Sequence, residues 1–280
     1  MRRCALLVSM LILFAYARTA QADDVVFNTG NPDGLIGTAS RPSSAGKTEI
    51  ETADDFFLNQ VTSITGGTFT GLLPTGASLS DITSVTIEFY RIFPLDSTVP
   101  PDGRVPTRDN SPSDVELNSR ESGLGELTFS ATVLNSSFTA ANSVLNGIHP
   151  LPTVFTGGEG PITGQEVQFS FSITSDMLAA GHYFFVPQVQ LSTGDFFWLS
   201  APRPISGSGT TPFPPGVTDL QTWTRNEALQ PDWLRVGTDI THQGPFNASF
   251  SLEGEPVPEP CTLLLTSAGL LGLILRRKTN

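Results

Sequence analysis

The chain has 280 residues, 39% of them hydrophobic, 9% aromatic and 15% charged, with 26 Gly, 22 Pro and a formal net charge of −12. So few charges exclude a coiled coil or a disordered acidic tail, and glycine and proline without a three-residue period exclude a collagen-like rod. Between Asp23 and Pro256 nine basic residues face 26 acidic ones, a net of about −17, which is the wrong sign for neutralising phosphates and excludes nucleic acid as a partner. The two cysteines, Cys4 and Cys261, lie near the ends. A chain trimmed at both ends therefore has no disulfide, and its roughly 230 residues must hold together by core packing.

Residues 1–22 have the layout of a signal peptide. Arg2 and Arg3 precede an apolar run from Cys4 to Ala17, and Ala20 and Ala22 form an A-x-A site ahead of Asp23. Positive charge keeps the start of the chain in the cytoplasm, the apolar run enters the translocon, and signal peptidase accepts the small residues. Cleavage is expected after Ala22, with residues 23–256 as the exported domain.

Within that domain, alternation with period two predicts strands. In chain order they cover 53–58 and 64–72, both less regular, then 85–89, 127–133, 166–173, 183–191, 196–200 and 248–252, bounded by Gly, Pro, Asn or Asp. The clearest sets Val167, Phe169, Phe171 and Ile173 on one face and Glu166, Gln168, Ser170 and Ser172 on the other. A weak helical stripe covers 137–145. Long loops rich in Pro, Gly and Ser interrupt near 94–121 and 202–216, and Pro187 marks its strand as an edge or a bulge because it cannot donate to a ladder. About ten short strands with one polar face predict an all-β fold, an antiparallel β-sandwich of jelly-roll-like type, as one domain without internal repeats.

Groups suited to catalysis are scarce in this domain. His149, His182 and His242 fall in separate segments without metal-ligand spacing. Ser206-Gly207-Ser208-Gly209 lacks the first glycine of a nucleophile elbow, and Gly157 to Gly160 precedes a strand rather than a helix. Aligning Asn31-Pro32-Asp33-Gly34 on a calcium loop puts Thr29 and Ser40 where carboxylates are needed. Asp54 and Asp55, neighbours on a strand, point to opposite faces; one of them with loop carbonyls leaves calcium as the one candidate cofactor, and no metal ligand or catalytic residue is assigned.

Trp223 and Trp233, with Arg225, Asp232 and Arg235 nearby, are the candidate ligand-binding pair. Exposed in a shared groove they would stack on sugar rings; buried, they would be core. Glycan hydrolysis would need two carboxylates about 5 to 9.5 Å apart in a cleft, and no pair stands out. The expected class is a non-enzymatic exported protein, with a carbohydrate-binding module as the alternative and a glycan hydrolase as a third.

Residues 257–280 close the chain with Pro258-Glu259-Pro260, an apolar segment and the basic end Arg276, Arg277 and Lys278. Leu263, Leu264, Leu265, Leu270, Leu271, Leu273, Ile274 and Leu275 make that segment greasy. From Cys261 to Leu275, at roughly 1.5 Å per residue, a helix is about 22 Å long against a hydrocarbon layer of about 30 Å. Such a short transmembrane helix suits a temporary hold, with the basic cluster left in the cytoplasm.

Tripeptide, short helix and basic end in this order resemble the PEP-CTERM sorting signal of exported bacterial proteins. The resemblance implies recognition and removal of the tail by an exosortase, a membrane-embedded cysteine protease, after signal peptidase has removed the leader. It also implies a Gram-negative setting at the cell surface or in a biofilm matrix, with extracellular polysaccharide as a partner. Thr52 to Leu58 followed by Ser63 to Phe69 resembles the opening strands of sandwich domains common in PEP-CTERM proteins, which implies fold and not activity.

Overall fold

The computed structural model describes residues 24–100, 103–151, 154–202 and 221–257. The expected signal peptide with Ala20 and Ala22, most of the 202–216 loop, and the tail from Pro258 onward lie outside the described residues. In chain order the strands are β1 (Asp24–Asn28), β2 (Ile36–Ala39), β3 (Ile50–Leu58), β4 (Thr62–Pro74), β5 (Ile82–Arg91), β6 (Asn118–Glu121), β7 (Leu127–Ala140) and β8 (Asn142–Val144). They continue as β9 (Ile162–Leu178), β10 (Gly181–Leu191), β11 (Phe197–Ala201), β12 (Trp223–Asn226), β13 (Leu234–Arg235), β14 (Asn247–Ala248) and β15 (Phe250–Pro256). Among the described residues the longest helical segment is a single π turn, Val236–Ile240, and no helix is long and apolar enough to cross a membrane.

The strands form two sheets, antiparallel except for the pair β2 and β8. In the nine-stranded sheet β4 is the axis. One side of β4 carries β9 along its length, with β7 outside β9. The other side is divided between β15, which leads on to β1, and β11, which leads on to β2, β8 and β14. The six-stranded sheet runs β13-β12-β3-β10-β5-β6. Gly71 lets β11 approach β4: a Cβ there would lie 2.0 Å from Phe196 Cε2, so no other residue fits.

Alternation puts one apolar row per strand between the sheets. Val167, Phe169, Phe171 and Ile173 of β9 face inward, as the sequence pattern predicts, and meet Phe56 of β3, Ile87 and Phe89 of β5 and Phe185 of β10. Phe69 of β4 and Phe169 stand opposite each other in register, rings stacked at 4.8 Å. A second cluster fills the outer side of the β11–β2–β8 wing under residues 229–246. A third lies on the outer face of the six-stranded sheet.

Three expectations change. The 137–145 stripe is no helix: it holds the end of β7 and all of β8. Its Ser, Thr and Asn residues are poor helix formers, and pairing with β9 and β2 satisfies the backbone instead. Pro187 lies in β10, which has a neighbour on each side. The ladder to β3 stops at Phe185, and beyond it Ser40 bridges to β10, its hydroxyl donating to the Pro187 carbonyl at 2.6 Å, so the proline faces no strand that needs its donor. The 94–121 stretch is no free loop. It contains β6 and buries Arg108, Ser111, Ser113 and Asp114.

Candidate functional site

Polar groups gather on the outer face of the six-stranded sheet. Phe56 and Leu58 of β3 point into the core, so Glu51, Ala53 and Asp55 point outward. By the same alternation Glu88 and Tyr90 leave β5 outward, Phe184 and Val186 leave β10, and Trp223 and Arg225 leave β12. Arg225 and Glu51 are direct cross-strand partners.

Glu51 takes the Arg225 guanidinium with both oxygens, Oε2 from Nε and Oε1 from Nη2 at 3.0 Å. Tyr90 Oη donates to Glu51 Oε1 at 2.5 Å and lies 3.3 Å from Glu88 Oε2. A hydroxyl has one proton, so the second contact is a hydrogen bond when Glu88 supplies the proton. Arg225 Nη1 donates to the carbonyls of Asp114 at 3.0 Å and Pro231 at 3.1 Å, and its guanidinium sits 4.3 Å from the Trp233 ring centre.

The 94–121 excursion docks on this face. Arg108, stacked 4.0 Å from the Phe93 ring centre, pairs with Asp114 and, at 3.2 Å, with Asp232. Asp114 Oδ2 accepts from the backbone N–H groups of Thr98 and Val99, both at 3.2 Å. Trp233 Nε1 donates to the Ser113 carbonyl at 3.1 Å. Between excursion and sheet lies a pocket of about 280 Å³ lined by Glu49, Glu51, Glu88, Tyr90, Asp114, Glu116, Arg225, Gln230 and Pro231.

Five carboxylates around one guanidinium set the electrostatics. Burial pushes Glu88 well above its ordinary 4.5, and the charges of Glu51 and Glu49 push it further. Glu49 is also raised, by burial first, against a hydrogen bond from Gln188 Nε2 at 2.9 Å. Burial first, then the charges of Glu51 and Glu88, raise Tyr90. Burial alone would lower Arg225, but the charge and hydrogen bonds of Glu51 together with the charges of Tyr90 and Glu88 outweigh it and hold the guanidinium protonated.

The arrangement offers hydrogen-bond acceptors to a ligand rich in hydroxyl or ammonium donors. It also places a carboxyl of raised pKa beside the Arg225-bound one. Through Tyr90 Oη, with legs of 2.5 and 3.3 Å, oxygens of Glu51 and Glu88 are no more than about 6 Å apart.

Trp223 and Trp233 do not form a sugar platform. Both have 0% exposure, enclosed by Ala53, Tyr90, Phe184 and Val186 and by the docked excursion, so neither ring presents a face to solvent. Of their neighbours, Arg225 and Asp232 enter the buried ion network, and Arg235 pairs with Asp239 at 2.7 Å. Asp54 and Asp55 do point apart: Asp54 Oδ2 accepts from the Ala248 N–H at 2.5 Å across the sandwich, and Asp55 Oδ2 meets His182 Nε2 at 3.0 Å on the outer face. Burial lowers His182 to about 4, so it is neutral at pH 7 and donates to Asp55 while stacking on Phe57 at 4.3 Å. His242 packs on Phe155, and His149 Nδ1 accepts from the Leu151 N–H, far from each other in the chain. Gly157 to Gly160 is a turn whose Glu159 accepts from the Leu145 and Asn146 N–H groups. Among the described residues no group of three or more His, Cys, Asp or Glu is placed to hold a metal ion.

The carboxylate pocket escapes sequence reasoning. Glu88 reads there as one polar position on a half-buried strand, and Glu51 lies 174 residues from Arg225. Compared with protein-family models, with curated proteins and with solved structures, the chain matches none.

The raised Glu88 fixes the sign of a pH effect. An acid whose folded pKa exceeds its unfolded value costs nothing below the unfolded value, and stability is lost as pH rises through the folded one. Glu88→Gln removes the charge and keeps, in its amide N–H, a donor toward Tyr90 Oη. Its urea midpoint is expected to match the unaltered protein near about pH 4 and to exceed it near about pH 8. Equal midpoints at both would contradict a Glu88 whose pKa is raised by folding.

Proposed function

We propose that the chain is an exported, non-enzymatic protein of the cell surface or biofilm matrix of a Gram-negative bacterium. In this reading a jelly-roll-like sandwich is delivered by its leader, held at the inner membrane by the tail helix, and released by an exosortase-like protease. Its role is structural or adhesive among extracellular polysaccharide.

The observation that supports this reading is the way the fold closes. β1 and β15 pair, with Asp24 opposite Gly254, and Val257 N–H donates to the Val61 carbonyl at 2.8 Å. Because the pair is antiparallel, the points where residues 1–22 and 258–280 attach lie at the same end of one ladder. Both end segments are appended to one end of a finished ladder, and cutting at either point breaks no described strand pairing. Pro258-Glu259-Pro260 follows that ladder at once, where a protease at the membrane surface would meet it.

A chain ending at Val257 is expected to melt like the complete protein and to fractionate differently from it in cells. Identical fractionation would contradict the sorting role.

A second reading, glycan hydrolysis, is favoured by the Glu51 and Glu88 pair alone. In that reading the protein releases reducing ends from exopolysaccharide, and Glu88→Gln, which removes the acid, lowers the rate about 10²–10⁴-fold. No release by the unaltered protein contradicts it and leaves the structural role.

A further inference from the structure

Unpaired sheet edges template the addition of another strand, and folded proteins blunt them with shortness, charge, proline or bulges. Four of the outer strands here are blunted. β1 has five residues, opens on Asp24 and bulges between Val25 and Phe27. β8 has three residues and β13 has two. β6 has four and carries Arg120 and Glu121. β7 is different: its 14 residues, Leu-Thr-Phe-Ser-Ala-Thr-Val-Leu-Asn-Ser-Ser-Phe-Thr-Ala, contain no charge, proline or glycine, and among the described residues it pairs with β9 alone.

Only part of β7 is regular. Its register with β9 is unbroken from Leu127 to Val133, and shifts follow between Val133 and Asn135 and between Asn135 and Phe138. In the regular part Thr128, Ser130 and Thr132 are exposed, while Phe129, Ala131 and Val133 face inward and are only half-buried against the main core. The unpaired backbone edge and an incompletely covered margin of the core therefore coincide.

We propose that β7 pairs with β7 of a second copy of the chain, antiparallel about a two-fold axis near Ser130, so that the two nine-stranded sheets become continuous. An edge strand is self-complementary in this way, since antiparallel pairing of identical backbones is isologous. Pairing centred on Ser130 sets Leu127 opposite Val133 and Phe129 opposite Ala131 of the copy. That keeps the inward row on one face and covers the half-buried side chains of both copies. On the other face Thr128 meets Thr132, a favourable cross-strand combination.

The self-complementary register points to a second copy as the occupant, and the uncharged strand lets it approach. The domain carries about −17, so two copies repel over most of their surfaces. The nearest charge before the strand is Glu126. In this register the two Glu126 positions are eight residues apart along the strand, about 27 Å at roughly 3.4 Å per residue, well beyond a Debye length of about 8 Å.

The test uses the full chain in detergent solution with Cys4→Ser and Cys261→Ser, treated with a short bismaleimide. Ser130→Cys in that background is expected to give a covalent dimer, while Ser119→Cys, on the charged β6 edge, stays monomeric. Adding Thr132→Lys to Ser130→Cys places a lysine on each strand of the pair and is expected to abolish the dimer without changing the melting temperature. A Ser130→Cys dimer yield no higher than that of Ser119→Cys, a dimer indifferent to Thr132→Lys, or cross-linking to a different protein in its place would each overturn the proposal.

Discussion

Phe185 of β10 ties the two sheets together. Its ring leaves the six-stranded sheet and enters an aromatic set contributed by four strands of the other: Phe69 of β4 at 6.3 Å, Phe171 of β9 at 5.6 Å, Trp198 of β11 at 5.8 Å and Phe250 of β15 at 5.1 Å. Such ring pairs contribute about 0.5–1.5 kcal/mol each beyond the area they bury. With no cysteine between Asp23 and Pro256, this packing carries what disulfides carry in many exported domains. It also explains the shape of the sheet: β4 must reach β9 on one side and both β15 and β11 on the other to bring those rings to one point.

Because the inner faces hold the sandwich together, the outer face of the six-stranded sheet can carry groups that stability alone would not select. The Arg225–Glu51 pair and the Arg108–Asp114–Asp232 set are buried, and desolvating such ions offsets most of their attraction. Their effect is positional. They fix a long excursion and the segment near Pro231 onto the sheet and leave a carboxylate-lined pocket between. Burial, and then the charges of Glu51 and Glu49, raise Glu88 there well above its ordinary value.

How far the sequence discloses this depends on what each strand faces. β9 has one wet face, and β5 alternates apolar with polar residues although its outer face is largely covered, so alternation finds both. β2 is buried on both faces at every residue of Ile36–Ala39, so alternation has little to report and no strand is predicted there, whereas β11, equally buried, is covered by the predicted 196–200. The 137–145 stripe misleads because serine, threonine and asparagine carry no period of their own. The tryptophans are as readable as core as they are as a sugar platform, and only the docked excursion decides. The pocket depends on pairing between β12 and β3, a contact across most of the chain that no local pattern encodes.

The proposed function requires a two-sheet body with detachable ends, one acting as an export leader and the other as a sorting tail. The most direct measurement is the intact mass of the protein released at the cell surface. The account predicts a mass lacking both residues 1–22 and the apolar segment Leu263 to Leu275. A released form whose mass still includes Leu263 to Leu275 would contradict it.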